Sequence, residues 1–570
     1  MIEALEPRIA PAVVTINAGL KTATWIDYDG DFVTMKWSSV VPPTFTTENS
    51  GLGLLVDRLD LTPANHSNAS FSITVKTNPG GDGRVEFGRV EAVGVPLKSW
   101  LSPAVNIAEF DCGNGNVAVS SSLVMGALGA IPHSSFTGNG GNGESRLNGL
   151  SGILSIRGDI DAASLAAGGF KSLTIFGDVR GDSTGGSATP GLLELSTTGS
   201  GTILITGSVI GGDAANEGFL SIGDGFTSLT IKGSIIGGSF PSTGVVTIGG
   251  TKTITSISVL GSIIGGSAMD TGKLNVDSTN TVVGVNISGN IVGGTADTSG
   301  VVTTGPLTSF TLGGSLLGGS VQNTGDIKLQ RAGTVTIKGS IYGGRETVAT
   351  ANNLIGTLSV TDNLRTLVVN GDVVGGTFGS GTQVGYNGAI LVGKNLIGAT
   401  IKGSLIGNPE HQAILLAGGA APAMPADYNA IGRLTVLGSV SLGYIASGQT
   451  ADFTSFAARI GNAENPDAGI GPVTVSGNWL HSSLNTGLND AGTTGIDLSD
   501  THSAGDPLRT AKLAAVIIKG HVLDNPTLPG VSGFAATKFT SLTVGGVLVF
   551  KTGDPNHSLD PFGLVDVFET

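Results

Sequence analysis

One phrase recurs along the chain, and its spacing restricts the folds open to it: LTIKGSIIGGS at 229–239, ISVLGSIIGGS at 257–267, VNISGNIVGGT at 285–295, FTLGGSLLGGS at 310–320, VTIKGSIYGGR at 335–345 and LVVNGDVVGGT at 367–377. With weaker flanking copies, and the first invariant glycine of each as anchor, there are fourteen: Gly158, Gly177, Gly207, Gly233, Gly261, Gly289, Gly314, Gly339, Gly371, Gly403, Gly438, Gly477, Gly520 and Gly546. In the middle the anchors lie 25 to 32 residues apart, then 35, 39 and 43. Four residues before the anchor stands an apolar residue, and two before it only Ile, Val or Leu. The position between is Ser, Thr or Asn in eleven of the fourteen copies. Two residues after the anchor, from Ile160 to Leu548, the chain is again apolar. This is a period of two with one buried face, the pattern of a half-buried strand.

A strand this short cannot bury its face alone. In a hairpin the next copy would follow after two to five residues, but here it follows after a whole coil. Like phrases stacked on like, in parallel and in register, satisfy the spacing, which predicts an all-β, right-handed parallel β-helix (β-solenoid) with an N-terminal β cap. A second apolar run precedes each phrase (FLSIG at 219–223, VVTIGG at 245–250, KLNVD at 273–277, GTLSV at 356–360), giving about three strands per coil. The Gly-Gly after each strand reads as a corner where φ is positive or backbone approach leaves no room for a Cβ. The residue after the anchor is Asp, Ser or Asn in twelve copies, from Asp159 and Asp178 to Asn478. A ligand-binding row is one reading; the simpler one is short polar side chains bonding their own turn backbone. Lys232, Lys338, Lys402 and Lys519, one before their anchors, read as solvent-facing.

Composition narrows the function classes. Glycine is abundant (93 of 570 residues), yet the 39% hydrophobic content is too high for a disordered linker. Charged residues are 13%, too few for long amphipathic helices, and the net charge of −14 with no basic stripe argues against nucleic acid. Cys112 is the single cysteine and reads as a small buried hydrophobe. No apolar run is long enough for a transmembrane segment. Residues 1–12 lack the usual secretory leader pattern, so either a leader precedes this numbering or export takes another route. The expected organisation is an N-terminal segment at 1–12, a β cap grading into the first coils at 13–150, a regular helix at 151–408, a helix with longer loops at 409–550 and a tail at 551–570. The stretches 408–430 and 480–515 are expected to loop out of the coil wall, where function on a repeat scaffold usually sits.

Chemistry-bearing groups are sparse. Asp27, Asp29 and Asp31 alternate around Gly30 and could hold Ca²⁺ through oxygen ligands, although the rest of an EF-hand is missing and a plain hairpin turn is the alternative. The stretch Gly211-Gly212-Asp213-Ala214 fails the calcium-binding nonapeptide pattern, which needs glycine where Ala214 stands. For hydrolysis or elimination on a polysaccharide, neighbouring coils could pair Asp159 with Asp178 or Asp182 with Asp213. Those acids occupy turn positions filled elsewhere by Ser, and aromatics for sugar stacking are only 5% of the chain. No catalytic residue is assigned.

Leu5-Glu6-Pro7-Arg8 followed by IAPA, the DxDGD strand at Asp27–Asp31, the GSLIGGS-like coils and ENPDAGIGPVTVSGNW at 464–479 together resemble LEPR-type, Gly-rich β-strand-repeat exported proteins of the Planctomycetes and Verrucomicrobia group. The similarity runs along nearly the whole chain. It implies export to the bacterial cell surface and a β-helical body, and it transfers no site residues. The expected function is therefore a secreted structural or adhesive surface protein, self-associating end to end or contacting polysaccharide. An extracellular carbohydrate-active β-helix enzyme is the alternative.

Overall fold

The computed structural model describes residues 13–50, 53–113, 122–129, 144–147, 152–181, 191–196, 201–223, 226–277, 279, 281–347, 354–378, 386–419, 428–449, 465–489, 501–502, 511–524, 532–555, 557–558 and 565–569. Among these there is no α-helix, only one 3-10 turn at Ala64–His66. The chain divides into two compact units, Met1–Gly233 with Thr243–Lys252, and Ser234–Ser242 with Thr253–Thr570.

The first unit opens with strands β1 (Thr15–Asn17), β2 (Thr22–Ile26), β3 (Phe32–Trp37), β4 (Thr44–Ser50), β5 (Gly53–Asp60), β6 (Ser70–Lys76), β7 (Val85–Val93), β8 (Ser99–Ser102) and β9 (Val105–Gly113). β1, β2, β3 and β6 pair antiparallel in that order, as the alternation at 22–37 predicts for a cap. The other edge of β6 pairs in parallel with β8, so β6 is where a meander becomes a coil. From β8 the parallel stack continues in register, placing Trp100, Leu123, Leu154, Leu173, Ile203 and Leu229 in one row. The second wall begins with antiparallel β4–β5 and continues in parallel through β7 and β9.

The second unit shows the repeat at its most regular. Ile257, Val285, Phe310, Val335, Leu367, Ala399, Leu434, Val473, Val516 and Leu542 form one inward row. Past the anchors, Ile263, Ile291, Leu316, Ile341, Val373, Leu405, Val440 and Trp479 form another. All of these side chains are buried. Each branched aliphatic so buried contributes about 1.5–3 kcal/mol, which no single strand of this length could collect alone. A full coil holds three strands, for example Ile254–Val259, Ile263–Ile264 and Lys273–Val276, each paired in parallel with its counterpart one coil on. The fold is a parallel β-helix, as the phrase spacing predicts.

Two features depart from the sequence reading. Of the fourteen anchors, Gly546 does not continue the coil: Gly545 and Gly546 both have positive φ and turn the chain into an antiparallel hairpin joining Lys538–Val544 to Val547–Lys551. Two successive left-handed residues are what a two-residue hairpin turn requires. Secondly, the expected excursions are partly coil wall. Ala413–Ala417 and Ser483–Thr486 are strands in register with Gly443–Ser447 between them, while 420–427, 490–500 and 503–510 lie outside the described residues. The apolar run AILLA shows no alternation because it is buried on both faces. Outward-facing Ile414, Leu416, Tyr444 and Ala446 join Leu354, Tyr386, Ala389 and Leu391 in a second hydrophobic cluster outside the coil. The few aromatics gather in particular places. Phe71, Trp100 and Phe110 stack in the first unit, and Trp479, Phe534, Phe539 and Phe550 in the last coils of the second.

Candidate functional site

The polar residue after an anchor reaches to the neighbouring coil. Its side-chain oxygen accepts the backbone N–H of the equivalent residue one coil on. Ser234 Oγ accepts from Ser262 N–H at 3.0 Å, Ser262 from Asn290, Asn290 from Ser315, Ser315 from Ser340, Ser340 from Asp372, Asp372 from Ser404, Ser404 from Ser439, Ser439 from Asn478, and Asn478 from His521. In the first unit Asp159 accepts from Asp178, and Asp178 from Ser208. Beside this runs a backbone ladder in which ten anchor N–H groups donate to the previous anchor carbonyl, as Gly339 does to Gly314 at 2.9 Å. The anchors need glycine for space: apart from Gly546 their φ is not positive. A Cβ at Gly339 would lie 2.7 Å from Gly314 C and O, and nearer still to Ser315 Oγ.

This ladder accounts for the acids considered for carbohydrate chemistry. Asp159 and Asp178 are adjacent, but each has one oxygen committed to the next coil, and Asp159 also pairs with Arg180. Asp182 lies outside the described residues. The four lysines before the anchors are exposed, as expected. Cys112 is buried, and burial pushes its thiol up to about 12, which keeps it from the reactive thiolate form.

A second polar corner went unnoticed in the sequence. In Asp270-Thr271-Gly272, Thr298-Ser299-Gly300 and Asn323-Thr324-Gly325 the first and third residues have positive φ, and the middle hydroxyl is fully buried. Thr271 Oγ1 accepts Gly266 N–H at 2.9 Å and donates to Ala268 O at 2.7 Å, and Ser299 repeats this with Gly294 and Ala296. The recurring [DTN]-[TS]-G triplet was the available signal.

Asp27, Asp29 and Asp31 do come together, in the loop joining β2 to β3. The antiparallel register ends at Ile26 opposite Phe32, leaving five residues to turn, with Gly30 at φ 102°. Asp27 Oδ1 accepts the N–H groups of Gly30 (3.1 Å) and Asp31 (2.7 Å). Asp31 Oδ1 accepts Asn78 N–H at 2.7 Å, and its Oδ2 accepts Gly83 N–H at 2.6 Å. Asp29 Oδ2 accepts Asp82 N–H at 2.9 Å. One carboxylate oxygen from each residue lies within 4.8 Å of the others, and Asp27 and Asp31 are fully buried. Asp27 Oδ2 and Asp29 Oδ1 are buried and receive no backbone or hydroxyl hydrogen bond, while the two carboxyl groups interact with each other. Burial, and then the neighbouring Asp29 carboxyl, push Asp27 up to about 8. Burial also acts to raise Asp29, but the hydrogen bonds from Asp27 and the Asp82 backbone outweigh it and hold Asp29 below its ordinary value. The plain hairpin turn and the carboxylate cluster are thus the same feature.

Two acid–histidine pairs also form across coils. His411 Nε2 lies 3.6 Å from Glu346 Oε2, and His481 Nδ1 contacts Asp524, 43 residues away in sequence. His481 and Asp524 each stand four residues after an anchor, Gly477 and Gly520, so the repeat phase already links them; no such phase links Glu346 with His411.

No helix among the described residues is long and apolar enough to cross a membrane. Comparison with protein-family models, curated proteins and solved structures finds no match for the chain. Fold and corners together define the class: a parallel β-helix whose repeated anchor-side polar residues hold coil to coil.

Proposed function

We propose that this chain is an exported structural or adhesive component of the bacterial cell surface, contacting copies of itself or surface polysaccharide. The observation that carries this reading is the corner ladder. In most enzymes polar side chains converge on a cleft, whereas here the repeated ones are saturated by the neighbouring coil. Open strand edges suit association. Among the described residues Val547–Lys551 pairs on one side only, and its Val547 and Leu548 are 63% and 56% exposed. Electron microscopy of the purified protein and of native cells labelled against it is the test. Surface label with ordered assemblies is expected. Turnover of any member of a panel of acidic polysaccharides would overturn the structural reading, and dispersed single particles at high concentration would remove self-association from it.

A further inference from the structure

We propose that Asp27, Asp29 and Asp31 bind a calcium ion that clamps the β2–β3 loop of the cap to the segment entering β7. This stands apart from the surface role and would survive its failure.

Three carboxylates converge on one point, and the ion pairs among the described residues involve none of them. Each is held from behind by backbone N–H groups, so the cluster is shaped before any ligand arrives. Asp27 Oδ2 and Asp29 Oδ1, both buried, receive no backbone or hydroxyl hydrogen bond, within a cluster whose carboxylate oxygens converge to 4.8 Å. A buried carboxylate oxygen with no donor is costly, and converging carboxylates are relieved by a shared proton or by a cation between them; three converging groups favour the cation. Calcium takes oxygen ligands at about 2.3–2.6 Å. Oxygens on opposite sides of such an ion are about 4.6–5.2 Å apart, which accommodates the observed 4.8 Å limit.

The site also joins segments distant in sequence. Asn78, Asp82 and Gly83 donate to it from the chain between β6 and β7, and Asn78 Nδ2 donates to Gly30 O at 2.7 Å. Asp27 bridges to Leu54 at the start of β5. A Cβ on Gly53 would lie 2.6 Å from the Asp27 carbonyl carbon, so β5 runs directly against the loop. An ion here would tie the antiparallel meander to the strands that begin the second wall.

The full-length chain, stripped with chelator, is titrated with CaCl₂ and separately with MgCl₂ by calorimetry, and with Tb³⁺ by sensitised luminescence. Trp25 and Tyr28 stand beside the site as sensitisers. One calcium per chain is expected, in the roughly 10⁻⁴–10⁻³ M range of extracellular modules, with calcium favoured over magnesium and exchange slowed at 22–37 and 77–84. Asp29→Asn, at a half-buried position, should weaken binding at least about tenfold while circular dichroism stays unchanged. Glu48→Gln, an exposed acid outside the cluster, should leave binding within about twofold. Absence of calcium and terbium binding, or binding indifferent to Asp29→Asn, would show that a shared proton fills the gap and overturn the proposal. If Asp29→Asn fails to fold, stoichiometry and terbium luminescence on the unaltered chain decide alone.

Discussion

Replacing one anchor glycine tests the stacking directly. In Gly339→Ala the new methyl would sit 2.7 Å from Gly314 C and O and closer to Ser315 Oγ, where carbon contacts need about 3.5–4.0 Å. The two coils must separate locally by about 1 Å. That breaks the Gly339 N–H bond to Gly314 O (2.9 Å) and strains the Ser340 N–H bond to Ser315 Oγ (3.1 Å). Two hydrogen bonds at about 1 kcal/mol each, with about 1–3 kcal/mol of overpacking, give a loss of about 3–5 kcal/mol. Gly398→Ala is the control, because a Cβ there meets nothing within 4 Å; it should change stability by about 0.5 kcal/mol or less. Long repeat arrays need not unfold in one step, so the assay is hydrogen exchange by mass spectrometry on peptides covering 334–342. At about 1.4 kcal/mol per tenfold, exchange there should accelerate by about 10²–10³ in Gly339→Ala and scarcely in Gly398→Ala. Adding Ser315→Ala, which removes the nearest atom, should make the double variant at least about 1 kcal/mol less costly than the sum of the singles. Protection in Gly339→Ala within threefold of the unaltered chain, or equal to that of Gly398→Ala, would refute glycine as a requirement of coil-to-coil contact.

Other outcomes follow from the same structure. Asp326 is fully buried, accepts Thr357 N–H at 2.9 Å, and burial pushes it up to about 7. Between an unfolded value near 3.8 and about 7 the native state holds the extra proton, so its contribution falls as pH rises through that window and is flat above it. Asp326→Asn should match the unaltered chain near pH 4 and exceed it by up to ~4 kcal/mol near pH 8 in urea titrations; equal gain at both pH values would refute this. Thr271→Val keeps the shape but strands Gly266 N–H and Ala268 O, costing about 2–4 kcal/mol by exchange protection, while Thr271→Ser should recover most of it, since Ser299 does the same work one coil on. Cys112 should resist iodoacetamide at pH 8 in the folded chain and react fully in denaturant. Phe539→Ala, which empties the stack between Phe534 and Phe550, should cost about 3–5 kcal/mol and diminish the near-ultraviolet circular dichroism of Trp479.

The period-two phrase, returning after a full coil with glycine at a fixed place, was enough to determine the parallel β-helix, its inward rows and its exposed lysines. Those properties depend only on which residues alternate and on like stacking over like, and both are written in one dimension. Local sequence also placed three aspartates around a turn at 27–31, because residues so close in the chain can hardly avoid one another. What the sequence could not supply was the partner of each group across coils. Ser315 reads as a turn residue by itself, and only the neighbouring coil reveals that its hydroxyl caps Ser340 and fills the space that keeps residue 339 a glycine. Gly546 shares the anchor phrase, yet the left-handed pair Gly545–Gly546 ends the ladder in a hairpin. The strand at 413–417 lacked alternation because both its faces are covered, a fact of packing rather than of pattern. Likewise the backbone donors from 78–83 that shape the Asp27 cluster, and the meeting of His411 with Glu346, depend on how the intervening chain folds back. Tertiary structure alone decides those meetings, since no repeated phrase marks them and they are fixed only where the buried rows come back into register.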